Sequence, residues 1–530
     1  MSRFETYKFL AEANSYRNGA MAGNSHVSNT PAGAHRNTPH TKTESLLRRK
    51  VWLERACLFV MDGTLMVAGI VNGYAIARIV GAVTITGPEA VTAMIGHFAK
   101  SGLLIAFILI ACALRGHYHN RNSFWSETRD ILLLMSIAVL LDGFAYLLLS
   151  PELHISQSAS LWLLSGWGVS LLLLPIGRRV SRDLLTKAGL WTRRILIIGS
   201  GEPAEAANAA LVSEPYFGYQ IETSIPIDQF DPNNQKSRLA ELFQEMGGSL
   251  KDVLIETMNR AKVEMVVLAP KASEFESIEK VTRQLNRARI KFSIIPPLKG
   301  LAVLHIRATA FYNHDLLMLS SEDNLRQPIA RIIKRCFDLV VAGGLLLTLA
   351  PFFLFAAMLI KKDGGAAFFG HRRVGRNGDM FYCLKFRTMV VNAEDRLAEV
   401  IANDPEKAAE WEREHKLKDD PRITRIGKFL RDTSLDELPQ LLNVLKGEMS
   451  LVGLRPVVLD ELLKYGDDVE YYLDAQPGIT GLWQVSGRNN VSYERRVQLD
   501  AWYIRNWTLW QDVTILLKTL PAVWLRDGAY

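Results

Sequence analysis

Cysteine is scarce: the chain has four in 530 residues (Cys57, Cys112, Cys336 and Cys383). None stands in C-x-x-C spacing. That excludes a disulfide framework and a structural zinc site, and it fits a reducing compartment. The first 50 residues lack the apolar core of a secretory signal and any apolar periodicity, and their Asn, Ser, Thr, Gly and His predict a flexible tail. With 48% apolar and 22% charged residues, disorder and collagen are excluded for the chain as a whole. A large excess of one charge is also missing, the net being +7. That excess lies on the first 190 residues, while residues 191–327 and 328–530 are nearly neutral. The basic balance therefore points to anionic lipid headgroups and not to nucleic acid. At roughly 100–200 residues per domain, the length predicts three or four domains.

Long apolar runs are abundant. Ala56–Ile76, about Ala90–Leu114, Ile131–Leu149 and Ser160–Ile176 are long enough to cross a bilayer, which takes roughly 20 residues. Arg48, Arg49, Lys50 and Arg55 precede the first run, Arg115, Arg121 and Arg129 separate the second from the third, and Arg178, Arg179 and Arg182 follow the fourth. The loop of residues 150–159 has no basic residue. Cytoplasmic loops carry the Lys and Arg excess, so the pattern predicts four spans over residues 51–180 with both ends inside.

Residues 191–300 read as a Rossmann-like α/β domain. Arg194-Ile-Leu-Ile-Ile-Gly-Ser-Gly-Glu-Pro-Ala204 is a strand running into G-x-G-x-x-A and an Ala-rich helix. Later strands are predicted at Val263–Leu268 and Lys291–Ile295, with a helix between them. Pro203 and the lack of a clear acidic residue after a second strand, Asp228 being late, favour a packing or dimerising role over a dinucleotide site.

Residues 336–360 carry one charge, Asp338, and are long enough to span. Lys334 and Arg335 stand before them and Lys361 and Lys362 after, so both ends ask to be cytoplasmic. Pro351 lacks the amide hydrogen a helix interior needs. A re-entrant helix broken at Pro351 satisfies both observations; an ordinary interfacial or core helix is the other reading. Trp502, Trp507 and Trp510 suit either an interfacial belt or core packing.

The last third is dense in Arg and Gly: His371-Arg-Arg-Val-Gly-Arg376, Leu384-Lys-Phe-Arg-Thr-Met389 and Pro421-Arg-Ile-Thr-Arg-Ile-Gly-Lys428. Guanidinium forks match phosphate oxygens, and glycine lets backbone N–H approach them. Asp436 and Glu437 form the sharpest pair. Ser434-Leu-Asp-Glu437 reads as a capping box opening a helix through Leu441 and Leu442, which by itself explains both carboxylates. The same placement stabilises a first-turn carboxylate as the anion by about 0.3–1 kcal/mol. Asp436 could then attack phosphorus or hold a divalent metal, with Lys385 and Arg431 neutralising phosphate charge.

The run Leu384–Met389, then Arg431-Asp-Thr-Ser-Leu-Asp-Glu-Leu-Pro-Gln-Leu441, Asn443-Val-Leu-Lys-Gly-Glu-Met-Ser-Leu-Val-Gly453, Arg455-Pro456 and Gly478-Ile-Thr-Gly-Leu-Trp-Gln-Val-Ser-Gly-Arg488 resembles the bacterial sugar transferases, polyprenyl-phosphate phosphoglycosyltransferases. The motifs cover residues 328–530, and the preceding spans and α/β segment resemble the long form of the family. The resemblance implies a monotopic α/β-type catalytic domain with a re-entrant membrane helix. It implies transfer of hexose 1-phosphate, galactose or glucose and closer to the galactose type, from a UDP-hexose to undecaprenyl phosphate, with UMP released. Asp436 is then the nucleophile forming a phosphosugar-Asp intermediate and a ligand of Mg2+, and Glu437 assists. Lys385, Arg387, Arg431, Arg455 and Arg488 are the phosphate or substrate contacts. A homodimer in the bacterial inner membrane, with both termini and the catalytic domain cytoplasmic, is the matching expectation. The product would begin an O-antigen, capsule or exopolysaccharide unit.

Two residues depart from the family's pattern: Leu454 replaces the first Pro of Gly-Pro-Arg-Pro, and Ala350 replaces the Ser of the Ser-Pro break. A membrane-anchored nucleotide-sugar dehydratase would need Tyr-x-x-x-Lys, and a metal-dependent glycosyltransferase Asp-x-Asp; both are absent. A non-catalytic scaffold of polysaccharide assembly is the remaining alternative, in which the carboxylates only cap.

Overall fold

The computed structural model describes residues 39–80, 88–149, 157–227, 263–287, 290–298, 300–311, 317–321, 327–414, 420–487 and 491–524, together with Met258, Leu325 and Leu417. The chain divides into two compact units, Met1–Arg121 with Leu134–Thr192, and Asn122–Leu133 with Arg193–Tyr530.

The first unit is helical: α1 (Pro39–Ile79), α2 (Pro88–Leu114), most of α3 (Phe124–Leu149) and α4 (Gln157–Lys187). Helix α1 begins inside the stretch expected to be tail. Among the described residues, its portion Arg49–Ile79 is long and apolar enough to cross a membrane. The other three expected runs each include side chains outside the described set. Small residues let α1 and α4 touch at the backbone: a Cβ on Gly73 would stand 2.4 Å from Gly166 Cα, and Ser165 donates to Gly73 O at 2.9 Å. Asp62, fully buried in α1, pairs with Arg178 of α4 and accepts from Tyr118 at 2.7 Å. A charge within an apolar helix is tolerable only with such partners.

The second unit begins with a parallel sheet in the order β2-β1-β3-β4, from β1 (Arg193–Ile198), β2 (Tyr219–Ile225), β3 (Met265–Leu268) and β4 (Phe292–Ile294). Helix α5 (Gly201–Ser213) follows β1 and α6 (Phe275–Arg287) follows β3. The glycine turn is tight because a Cβ on Gly199 would meet Ala269 O at 2.1 Å. Glu274 occupies this turn: Ser200 donates to its carboxylate, and so does Lys271 N at 2.8 Å. A carboxylate thus already sits at the mouth where a dinucleotide's pyrophosphate would approach. Asp228 lies outside the described residues. A two-stranded antiparallel hairpin follows, β5 (Arg307–Ala310) with β6 (Leu317–Ser320).

The last third of the chain folds around α7 (Pro328–Ile360), a helix of 33 residues that runs through Pro351 and is apolar enough to span. Its first half is not bare. Ala330, Lys334, Asp338 and Ala342 are buried against protein. Lys334 donates to Asp512 Oδ2 at 2.7 Å and to Val452 O, and Asp338 accepts from Ser450 at 2.8 Å and from Leu451 N. Its last turns pack again on the same unit, Ala356 and Ile360 clustering with Phe386 and Leu430. Between these anchors Leu345, Leu347, Leu354 and Phe355 are exposed. The expected segment 336–360 therefore lies against protein on the face of Asp338, which is satisfied there, while other faces are exposed along its length, from Val340 to Met358.

The remainder includes the antiparallel pair β7 (Phe368–Val374) and β8 (Met380–Phe386), α8 (Ala393–Asn403), α9 (Pro405–Glu414), α10 (Arg425–Asp432), α11 (Gln440–Lys446), the parallel pair β9 (Ser450–Val452) and β10 (Gly478–Thr480) with two short helical segments between them, α12 (Tyr493–Arg505) and α13 (Leu509–Trp524). Of the three tryptophans named above, Trp507 is buried and donates to Asp512, and Trp510 donates to Trp125 O, so both serve packing.

Candidate active site

The sequence Leu384-Lys-Phe-Arg-Thr388 distributes its side chains by the alternation of a strand end. Phe386 goes into the core, whereas Lys385 leaves β8 toward the carboxylate pair. Its ammonium donates to Glu437 Oε1 at 2.6 Å and stands 4.0 Å from Asp436 Oδ2. Lys385 is about one-third exposed, while the Asp436 side chain is 13% exposed.

The turn carrying the pair differs from the expected capping box. Ser434 sits at φ 55 with no capping hydrogen bond, Leu435–Glu437 form a single 3-10 turn, and the α-helix starts only at Gln440 after Pro439. The cause is Pro439: in a helix capped at Ser434 it would be interior, lacking an N–H and clashing with the carbonyl four residues back. Asp436 therefore lies on a tight, half-buried turn. Burial raises its carboxyl above the ordinary range; Lys385 opposes this, Glu437 adds to it, and Arg431 opposes it. The expected dipole-stabilised anion is thus corrected: burial outweighs the cations.

Arg431 is carried by α10, whose N-cap Thr424 accepts from Gly427 N at 3.0 Å. Gly427 lets this helix press onto the β8 exit loop, since a Cβ there would lie 2.0 Å from Thr388 O. Thr388 then orients Arg431, accepting from its Nε at 2.8 Å. Arg387, the expected phosphate contact, is bonded to backbone carbonyls. It donates to the carbonyls of Ala366, Met389 and Ile360 at 2.7, 3.2 and 3.0 Å, and so braces the exit of α7. Arg455 follows β9 and lies 5.9 Å from the Trp483 ring, with Arg496 4.7 Å from the same ring. Lys385, Glu437, Arg373 and Arg455 all act on buried Cys383, whose thiol is pushed up to about 11 by burial, so these charges converge on one region. Arg488 lies outside the described residues. Leu454 is buried in the core, and its carbonyl accepts from Gly478 N at 2.7 Å. The residue in place of the usual proline therefore fills the interior beneath Arg455.

Sequence reasoning missed Asn443, Thr388 and the pair Trp483 and Arg496 as supporting groups. The signal for Asn443 was present: a polar residue follows the apolar Leu441-Leu442 and is fully buried. Among the described residues no cluster of three or more His, Cys, Asp or Glu could hold a metal. Asp436 and Glu437 could supply carboxylate oxygens to Mg2+ with substrate phosphates completing the shell, which is how that ion is commonly held.

The arrangement is a carboxylate in a half-buried turn, an ammonium beside two acids and a guanidinium nearby, suited to attack on a phosphorus whose negative charge is neutralised. Residues 329–526 match the profile of the bacterial sugar transferases. The undecaprenyl-phosphate galactose phosphotransferase of Salmonella typhimurium is 41% identical over 441 residues, 83% of this chain and 89% of that protein. The UDP-galactose-lipid carrier transferase of Erwinia amylovora is 41% identical over 78% of this chain and 84% of its own length. The UDP-glucose:undecaprenyl-phosphate glucose-1-phosphate transferase of Escherichia coli is 27% identical over 66% of this chain and 72% of its own. With the site motif and this near full-length similarity together, the chain belongs to the bacterial sugar transferase family.

Proposed function

We propose that this enzyme transfers hexose 1-phosphate, galactose before glucose, from a UDP-hexose to undecaprenyl phosphate, beginning a surface polysaccharide. The observation that carries the reading is the Lys385 ammonium set against both Asp436 and Glu437 in a turn flanked by Arg431. An Asp436 carboxylate oxygen attacks the β-phosphorus of the donor. The bond from that phosphorus to the oxygen bridging the two phosphates breaks, and UMP leaves with the electron pair. A phosphate oxygen of undecaprenyl phosphate then attacks the same phosphorus, restoring the carboxylate and forming the diphosphate-linked lipid sugar. Lys385 and Arg431 lower the charge barrier to both attacks. Mg2+, when bound by Asp436 or Glu437 and the diphosphate, supplies further charge neutralisation.

The names of the Salmonella and Erwinia relatives, together with the shared motifs, support galactose as donor sugar. The membrane reading is supported by the two apolar helices and the flanking basic residues. Anchoring of both ends of α7 on one unit favours the re-entrant form, with Pro351 in the exposed middle and the catalytic residues on the cytoplasmic side. A homodimer through the middle α/β domain belongs to the same proposal.

Asp436→Asn in the detergent-solubilised enzyme tests the chemistry. The expected outcome is loss of UMP release from UDP-galactose with an unchanged thermal midpoint. Normal release would favour the scaffold reading, in which the carboxylates only shape the turn.

A further inference from the structure

Strand β8 is hydrogen-bonded to β7 on one side only, in a sheet of two strands. Its other edge would otherwise present unpaired backbone groups next to Lys385. The Asn443 carboxamide fills that edge. Its Oδ1 accepts from Leu384 N at 3.0 Å and its Nδ2 donates to Tyr382 O at 2.8 Å, as a peptide group of a third strand would. Nδ2 also donates to Glu448 Oε2 at 2.6 Å, which fixes the amide's orientation because a carboxylate can only accept. The residue is completely buried.

The placement matters as much as the bonds. Asn443 lies on α11, the helix that follows the turn of Asp436 and Glu437, and its two backbone partners flank Cys383, next to Lys385. One side chain thus ties the helix that follows the acid-bearing turn to the strand bearing the ammonium. No other hydrogen bond among the described residues joins α11 to β8 through a side chain.

We propose that Asn443 is a positioning residue for the transfer, holding β8 and the acid-bearing turn in the register that keeps Lys385 between Asp436 and Glu437. It touches neither donor nor acceptor and acts through Lys385. The proposal rests on the reading of Asp436 as nucleophile. It goes beyond that reading by assigning the geometry of the site to an amide that mimics a missing strand.

The test compares two full-length variants in detergent with UDP-galactose as donor. Asn443→Leu keeps the branching at Cγ with somewhat larger groups and removes every hydrogen bond of the amide. Val444→Ala, at the neighbouring buried position, lowers stability through a cavity and leaves the amide alone. Asn443→Leu is expected to lower kcat by about tenfold to a hundredfold, the range seen when a supporting group is misplaced by about 1 Å. KM for the donor should stay near the wild-type value. Val444→Ala is expected to lower the thermal midpoint with kcat near the wild-type value. If Asn443→Leu does not accumulate as folded protein, Asn443→Ser is read against the same criteria. An Asn443 variant that matches Val444→Ala, less stable but with near-normal kcat, overturns the proposal. Failure of the underlying reading is distinct: the wild type then releases no UMP, or Asp436→Asn still does.

Discussion

Replacing Lys385 by methionine removes the charge nearest Asp436 and keeps most of the side-chain volume. At 4.0 Å, two unit charges interact by about 1 kcal/mol in water and about 4 kcal/mol at the effective dielectric of a protein surface. Lys385 is 35% exposed, so screening places the effect at the lower end, about 1–2 kcal/mol. The sign follows from the site. Burial already holds the Asp436 carboxyl above its ordinary range, Lys385 opposes that, and only the anion can attack phosphorus. Without the ammonium, Glu437 also loses its partner and stands as an uncompensated negative charge beside Asp436. Protonation of Asp436 therefore persists to higher pH. On the acid limb, activity relative to the variant's own plateau is expected to fall about tenfold at a given pH, since about 1.4 kcal/mol is a factor of ten. The assay is UMP release from UDP-galactose across a pH series. Normalising each variant to its plateau removes the separate loss from weaker diphosphate binding. An acid limb that stays in place, or moves to lower pH, would refute the assignment of Lys385 as the cation that keeps Asp436 reactive.

Two further outcomes follow from the helix that carries the exposed apolar stretch. Asp512→Asn leaves the buried Lys334 ammonium without its carboxylate, and breaking such a pair costs about 3–5 kcal/mol, read as a lower thermal midpoint of the solubilised enzyme. The combination of Asp512→Asn with Lys334→Met should recover part of that loss. Single cysteines at Ile329 and Lys362 should both label from the same side of sealed vesicles with a membrane-impermeant maleimide, after exposed Cys57 and Cys336 have been replaced. Labelling from opposite sides would make α7 a true span.

Much of the architecture was legible because it rests on periodicity and length. The glycine turn after β1 and the strands near residues 265 and 292 each follow from local pattern, whereas α7 runs as one helix through Pro351, where a break was expected. Lys385 also stands 4.0 Å from Asp436 and bonds Glu437. The errors have physical causes. Ser434-x-x-Glu437 satisfies the pattern of a capping box, yet Pro439 denies the helix its interior, so the acids sit on a 3-10 turn with Ser434 left-handed. Arg387 reads like its neighbour Lys385, but its guanidinium reaches three carbonyls at the end of α7, contacts set by long-range packing. Asp338 is the one charge of residues 336–360, and nothing near it in the sequence shows what satisfies it. Its partners, Ser450 and Leu451, are more than a hundred residues away.

The central claim is a covalent phosphosugar on Asp436. Enzyme incubated with UDP-galactose alone, without undecaprenyl phosphate, then quenched in acid and digested, should yield the peptide containing Asp436 heavier by one hexosyl-phosphoryl group. The added mass should disappear when undecaprenyl phosphate is supplied before the quench. An unmodified Asp436 peptide alongside UMP released to at least the amount of enzyme would contradict the account.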